Sequence, residues 1–154
     1  MELLYRRGNL EDLELLVQLR GEAIRDMNRL DETADLSPLE QNSRSYYQQA
    51  IADGSYITYL AMDGERAAGV GGVCLFQVSP SSANLTGRTA FLINIYTRPA
   101  YRRQGIGMEI LDRLVQAARE AGAGLVTLEA TAAGRPLYEK YGFRYLEGDM
   151  GLKL

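Results

Sequence analysis

Residues 89–130 constrain the fold most. TAFLINIYT (89–97) is a strongly apolar, β-branched and aromatic run, the composition of a central strand. The next segment places Ile106, Ile110, Leu111, Leu114, Val115 and Ala118 on one helical stripe. Glu109, Asp112, Arg113, Gln116 and Arg119 fall mostly on the other side. Gly122 is a helix stop, and Leu125–Ala130 returns to a strand pattern. Two strands of one sheet joined through a helix form a right-handed parallel crossover. The chain therefore has at least one parallel strand pair with a helix packed over it.

The flanking segments add antiparallel pieces. Glu2–Arg6 reads as a first strand ending at Gly8. Asn9 can then cap a helix that carries Leu10, Leu13, Leu16, Val17 and Ile24 at helical spacing, with Glu11, Asp12 and Glu14 in its first turn. Residues 29–36 are polar and read as a loop. SPLE (37–40) starts a second helix, with Ser37 as N-cap, Pro38 at the first helical position and Glu40 three residues after the serine; this helix runs to Ala52. Tyr56–Met62 alternates with period two. Asp63-Gly64 is a turn, and Ala67–Val78 is the return strand of a hairpin. Gly69, Gly71 and Gly72 inside that strand mark a bulge or a close backbone approach. Residues 79–88 are a turn-rich loop. A short helix over Pro136–Tyr141 ends at Gly142, and Phe143–Leu146 with Met150–Leu154 can close as a final hairpin. The order is strand, two helices, three strands, helix, strand, helix, two strands. It predicts a mixed, largely antiparallel sheet of about seven strands with helices on both faces. Nothing reads as a repeat or linker, so one domain spans 1–154.

Composition narrows the function. A net charge of -3 gives no basic field that would favour nucleic acid. No apolar run approaches the ~20 residues of a membrane span, and the first residues lack a signal-peptide pattern. The expectation is a cytoplasmic protein. The chain has no histidine, which removes His-based triads and most catalytic zinc sites, so no metal is expected. The single cysteine, Cys74, lies in an apolar run and reads as a small core residue.

The chemistry-bearing stretch is YRRQGIG (101–107), at the turn between the central strand and its helix. A helix N-terminus offers N–H groups without intrahelical partners and a partial positive charge. Glycine lets an anion approach without meeting a Cβ. This is the local chemistry of a phosphate site. It is neither a P-loop, since the chain has no Gly-Lys pair, nor a dinucleotide fingerprint, since the third glycine position, 110, is Ile.

IYTRPAYRRQGIG, then the helix, LEAT, and LYEKYGF closely resembles the GNAT superfamily of acyl-CoA-dependent N-acyltransferases. Arg102, Gly105 and Gly107 match the signature [RQ]-x-x-G-x-[GA]. Pro99 and Tyr101 match its lead-in, and Tyr138–Phe143 matches the second motif. The specific likeness covers about residues 89–146.

The resemblance implies a GNAT-like α/β fold and acetyl-CoA as co-substrate. Its pyrophosphate would lie on the amides of Gln104, Gly105, Ile106, Gly107 and Met108, with charge added by Arg102 and Arg103. Its pantetheine arm would pair with the backbone of Ile95, Tyr96 and Thr97, where an N–H can also stabilise an oxyanion. Thr131 stands where many relatives hold the arm with Asn. Tyr138 matches the tyrosine that protonates the departing thiolate; a phenol with a pKa of about 10 remains protonated at neutral pH. A homodimer is an expectation from the family alone.

Some relatives place a carboxylate near the start of the central strand. Here AFLINIYT holds no acid, only Asn94, Tyr96 and the terminal threonines Thr89 and Thr97 as polar side chains, and Glu129 is the nearest acid along the chain. The general base stays unassigned. The reading is an N-acetyltransferase that moves acetyl from acetyl-CoA to a primary amine of a small molecule or protein. The alternatives are a non-catalytic acyl-CoA sensor and a transferase of another acyl group. The acidic balance suits a cationic amine, and Glu22, Asp26, Glu32 and Asp35 could attract one, yet an amino acid remains open.

Overall fold

The computed structural model describes residues 2–154. The elements are β1 (Leu4–Arg7), a 3-10 turn (Leu10–Asp12), α1 (Leu13–Asn28), α2 (Ser37–Asp53), β2 (Tyr56–Asp63), β3 (Arg66–Gln77), β4 (Arg88–Thr97), a second 3-10 turn (Pro99–Tyr101), α3 (Ile106–Glu120), β5 (Leu125–Leu128) and α4 (Arg135–Tyr141). The strands form one sheet in sequence order. Pairs β1–β2, β2–β3 and β3–β4 are antiparallel, and β4–β5 is the parallel pair that the crossover demands.

Period-two alternation divides the core between the two faces of the sheet. Ile57, Ala61, Val73 and Leu92 pack with Ile106, Ile110, Leu111 and Leu114 of α3. Tyr56, Leu60, Met62 and Val70 pack on the other side with Leu16 and Leu19 of α1 and Tyr47 of α2. Two glycines of β3 allow this closeness. A Cβ on Gly71 would stand 2.6 Å from Ile95 Cδ1 and 2.8 Å from Ile110 Cγ2, and one on Gly72 would overlap the Tyr56 ring.

The expected bulge exists, but its extra residue lies in β4. Gly72 pairs with Ile93 and Val70 with Tyr96, so Asn94 and Ile95 together face Gly71. Asn94 takes φ 64°, a left-handed conformation that asparagine tolerates better than most residues.

The 3-10 turn that leads into α1 starts on a side-chain capping box, whereas α1 itself has no side-chain cap. Asn9 accepts from the Glu11 amide at 2.8 Å, and Asp12 accepts from the Asn9 amide at 2.8 Å. Arg6 grips the same Asp12 with two bonds of 2.8 Å, which ties β1 to the start of α1. Ser37, in contrast, is not the N-cap of α2 but its first helical residue. The Asp35 carboxylate accepts from the Ser37 amide at 3.0 Å, so the acid upstream takes over the turn.

Among the described residues the sheet has five strands, not about seven. Phe143–Leu146 and Met150–Leu154 form no hairpin. Alternation shows which face of a strand would be apolar, but a strand also needs a partner edge, and an isolated hairpin is marginal in water. Tyr145, Met150, Leu152 and Leu154 are exposed.

Candidate active site

The end of β4 and the start of α3 make a turn held firmly from below. Tyr101 is buried and its hydroxyl donates to Asp63 at 2.8 Å. Arg98 donates through its amide to the Ala68 carbonyl (2.9 Å), through its side chain to the Ala67 carbonyl (3.0 Å), and through two bonds of 3.0 and 2.7 Å to Glu22 on α1.

Above these anchors the backbone curls. Arg103 has φ 64° and Gly105 φ 80°, and a Cβ on Gly105 would meet nothing within 4 Å. The Glu109 amide donates to the Gly105 carbonyl at 3.1 Å and opens the helix ladder. Before it, among the described residues, no amide from Arg103 through Met108 donates to a backbone or side-chain acceptor. Left-handed residues beside a helix N-terminus form a concavity of N–H groups, electropositive through the helix dipole. Gln104, Gly105, Ile106, Gly107 and Met108 are thus brought together around a cradle of free amides, whose chemistry suits an anion.

The two arginines part. Arg102 donates to the Thr97 carbonyl and to Asp26 on α1, both at 2.9 Å, and lies 5.9 Å from the centre of the Tyr96 ring. Arg103 is exposed and makes no ion pair among the described residues.

Beside the cradle the sheet splits. The β4–β5 pairing ends at Leu92 opposite Leu128, while β4 continues to Thr97. Ile95, Tyr96 and Thr97 therefore have an open edge toward β5, although the Thr97 carbonyl is already taken by Arg102. Burial, and then Glu22 and Asp26, push the Tyr96 phenol up.

The second motif folds onto the first. Leu137 lies against Gly107, where a Cβ would sit 3.4 Å from Leu137 Cδ2. Tyr141 donates to Asp112 of α3 at 2.8 Å. Tyr138 packs edge-on against Phe143, with ring centres 6.0 Å apart. Its hydroxyl makes no hydrogen bond among the described residues, and burial pushes its pKa up. Thr131 accepts the Gly134 amide through its hydroxyl at 3.1 Å, so its side chain shapes the loop before α4. Glu129 is exposed beyond β5.

Cys74 is only half-buried, a correction to its expected place in the core. Its sulfur accepts from the Tyr46 hydroxyl at 3.2 Å, and burial pushes the thiol up. The residue with no role assigned from sequence is Asn94. Its Nδ2 donates to the hydroxyls of Tyr47 and Tyr56, each at 3.0 Å, while its Oδ1 is buried without a partner. A polar residue within an apolar strand was the one available signal.

The profile of the acetyltransferase (GNAT) family matches residues 22–143. The chain belongs to this family. The GNAT match takes in the cradle, the split strand edge and the Tyr138 helix together. No curated protein matches the chain. Among solved structures, a predicted acetyltransferase from Clostridium acetobutylicum, determined with acetyl-CoA, is 28% identical, with a TM-score of 0.90 over 99% of this chain and 96% of that one. A GCN5-related N-acetyltransferase from Ralstonia eutropha JMP134 is 24% identical, with a TM-score of 0.87 and 99% of both chains covered. An aminoglycoside N-acetyltransferase in complex with CoA shares the fold at 14% identity, with a TM-score of 0.77 over 99% of this chain and 95% of that one.

Proposed function

We propose that the chain is an N-acetyltransferase that moves acetyl from acetyl-CoA to a primary amine by direct attack, through a tetrahedral intermediate. The observation that carries this reading is the run of unbonded amides from Arg103 to Met108, at the head of α3 and beside the open edge of β4. A pyrophosphate needs such donors, and an extended thiol arm needs such an edge. Acetyl-CoA supplies the activated acyl group as a thioester.

The chain's own residues then have distinct tasks. Amides of Gln104–Met108 bind the pyrophosphate, with Arg103 free to add charge and Arg102 able to do so on leaving Asp26. The backbone of Ile95 and Tyr96 aligns the arm, and an N–H there stabilises the oxyanion. Thr131 borders the arm. Tyr138 gives its proton to the departing sulfur. The C–N bond forms first and gives the tetrahedral intermediate, whose collapse breaks the C–S bond; overall one proton leaves the nitrogen and one reaches the sulfur.

A covalent enzyme intermediate is disfavoured. Cys74, the single thiol, is kept protonated by burial and lies under Tyr46. The protein is proposed to act in the cytoplasm. The test is release of free thiol from acetyl-CoA with a panel of primary amines. Release that requires both the amine and the protein supports transfer. Binding of acetyl-CoA with no release from any amine argues for a sensor instead.

A further inference from the structure

Asn94 stands where β4 leaves its neighbour. Pairing with β5 ends at Leu92 opposite Leu128, and the bulge sets Asn94 and Ile95 together against Gly71. The backbone direction at this one residue therefore decides where the amides of Ile95 and Tyr96 point. Asn94 takes φ 64°. A left-handed residue is strained, and it persists only where its surroundings over-determine it.

Here the surroundings act from the α1–α2 face of the sheet. Asn94 Nδ2 donates to the hydroxyls of Tyr47 and Tyr56, each at 3.0 Å, which uses both of its N–H groups. Tyr47 belongs to α2 and Tyr56 opens β2, so two elements converge on one side chain. Their rings are stacked with centres 5.1 Å apart, and the residues are only 3% and 4% exposed. The Tyr56 phenol reaches β4 by crossing β3 at Gly72, where a Cβ would overlap its ring and hydroxyl. Burial is the largest cause pushing both phenols up, so the pair stays protonated and neutral through the ordinary pH range. Packing alone would be served by phenylalanine at both positions. Two hydroxyls buried at that depth cost desolvation, which their bonds to Asn94 offset.

We propose that Tyr47 and Tyr56 are positioning residues: their hydroxyls lock the Asn94 side chain, and Asn94 in turn aims the Ile95 and Tyr96 amides at the thioester. This rests on the N-acetyltransferase reading above and adds two buried residues to it. A donor directed at the developing oxyanion counts mainly in the transition state. The phosphates are held separately, at the head of α3. The clamp therefore acts on the chemical step and leaves the grip on acetyl-CoA alone. Without it the bulge can relax, and the amides turn away from the carbonyl oxygen they should meet.

The experiment is thiol release from acetyl-CoA with whichever primary amine of the panel the wild type uses fastest. It is run on the wild type, Tyr47→Phe, Tyr56→Phe, the double variant, Asn94→Gly, and Asn94→Gly carrying both phenylalanines. Calorimetry gives the acetyl-CoA affinity of each, and thermal unfolding shows that each is folded. Both phenylalanines keep the stacked rings and remove only the hydroxyls. The expected result is a fall in kcat of about tenfold for each single phenylalanine and about a hundredfold for the pair, with acetyl-CoA affinity and the KM for the amine unchanged. Asn94→Gly keeps the left-handed backbone accessible but frees it, so it loses kcat as the pair does. Adding the phenylalanines to Asn94→Gly should then cost nothing more, because they act only through Asn94. Folded phenylalanine variants with wild-type kcat, losses that add in the Asn94→Gly background, or losses confined to affinity or KM would each overturn the inference and leave the transferase reading in place. So would failure of both single variants to fold, since the hydroxyls would then hold the fold and not the site. A wild type that releases no thiol with any amine defeats the transferase reading itself, and the positioning role with it.

Discussion

Tyr138 has a half-buried ring and a hydroxyl without an internal partner. Burial raises its pKa, so the phenol holds its proton through neutral pH and past the ordinary value of about 10. An acid works while protonated, so kcat should show no alkaline fall from this group below about pH 10. Tyr138→Phe should lower kcat by about a hundredfold or more and leave acetyl-CoA affinity unchanged; an unchanged kcat would remove the residue from the chemistry. Asn94 is open to a stability test. At φ 64° a Cβ is strained, so Asn94→Ala should be less stable than Asn94→Gly by about 1 kcal/mol in urea unfolding, and the reverse order would contradict the left-handed geometry. The two residues were unequally legible in the sequence. Tyr138 sits in a linear motif whose spacing can be read directly. Asn94 acquires its place from a bulge that depends on Gly71 lying under Ile95 and Ile110, contacts made only after the sheet and α3 have packed.

At the scale of elements, the start of α1 is a small electrostatic device. Asp12 is buried, caps the Asn9 amide and is gripped by Arg6, and these bonds hold its carboxyl below the usual carboxylate range, with Arg6 the largest cause. A depressed folded pKa means that the stabilisation is present above the unfolded value of about 3.9 and is lost as pH falls through the folded one. Asp12→Asn should therefore cost about 1.5–3 kcal/mol at neutral pH, with the gap to wild type closing below about pH 4. A gap independent of pH would place the effect in packing rather than charge. Local chemistry of this kind made most elements readable: the Asn9 box, the hairpin at Asp63-Gly64, and the stripe on α3. Where two local signals competed, the sequence was ambiguous, as when Asp35 displaced Ser37 as the group that opens α2. The separation of β4 from β5 beyond Leu92 was unreadable from either strand alone, since β4 continues in mostly apolar or β-branched residues and the alternation of LEAT does not by itself end a strand.

At the scale of the whole molecule, the sheet separates two chemistries. One face carries α3 and α4 with the anion cradle and Tyr138; the other carries α1 and α2 with Arg20, Tyr47 and Tyr56. Asn94 stands on the strand between them. Arg98–Glu22 and Arg102–Asp26 fasten the cradle loop to α1 across that divide. The last residues contribute little: Met150, Leu152 and Leu154 are almost fully exposed. Removing Gly148–Leu154 should shift Tm by less than about 2 °C, as surface changes stay near 0.5 kcal/mol, and a larger loss would mean that the segment packs against something in solution.

The central claim is that the head of α3 binds the phosphates of acetyl-CoA. Gly107→Glu tests it most directly. The new Cβ meets only Leu137, at an ordinary 3.4 Å, and an acid in the first turn suits a helix N-terminus, so the fold should persist. Its carboxylate would occupy and repel at the cradle. Calorimetric titration with acetyl-CoA should give clear binding to wild type and a loss of about a hundredfold or more in the folded variant, the scale of removing charge-assisted hydrogen bonds. Equal affinity of the two proteins would contradict the account.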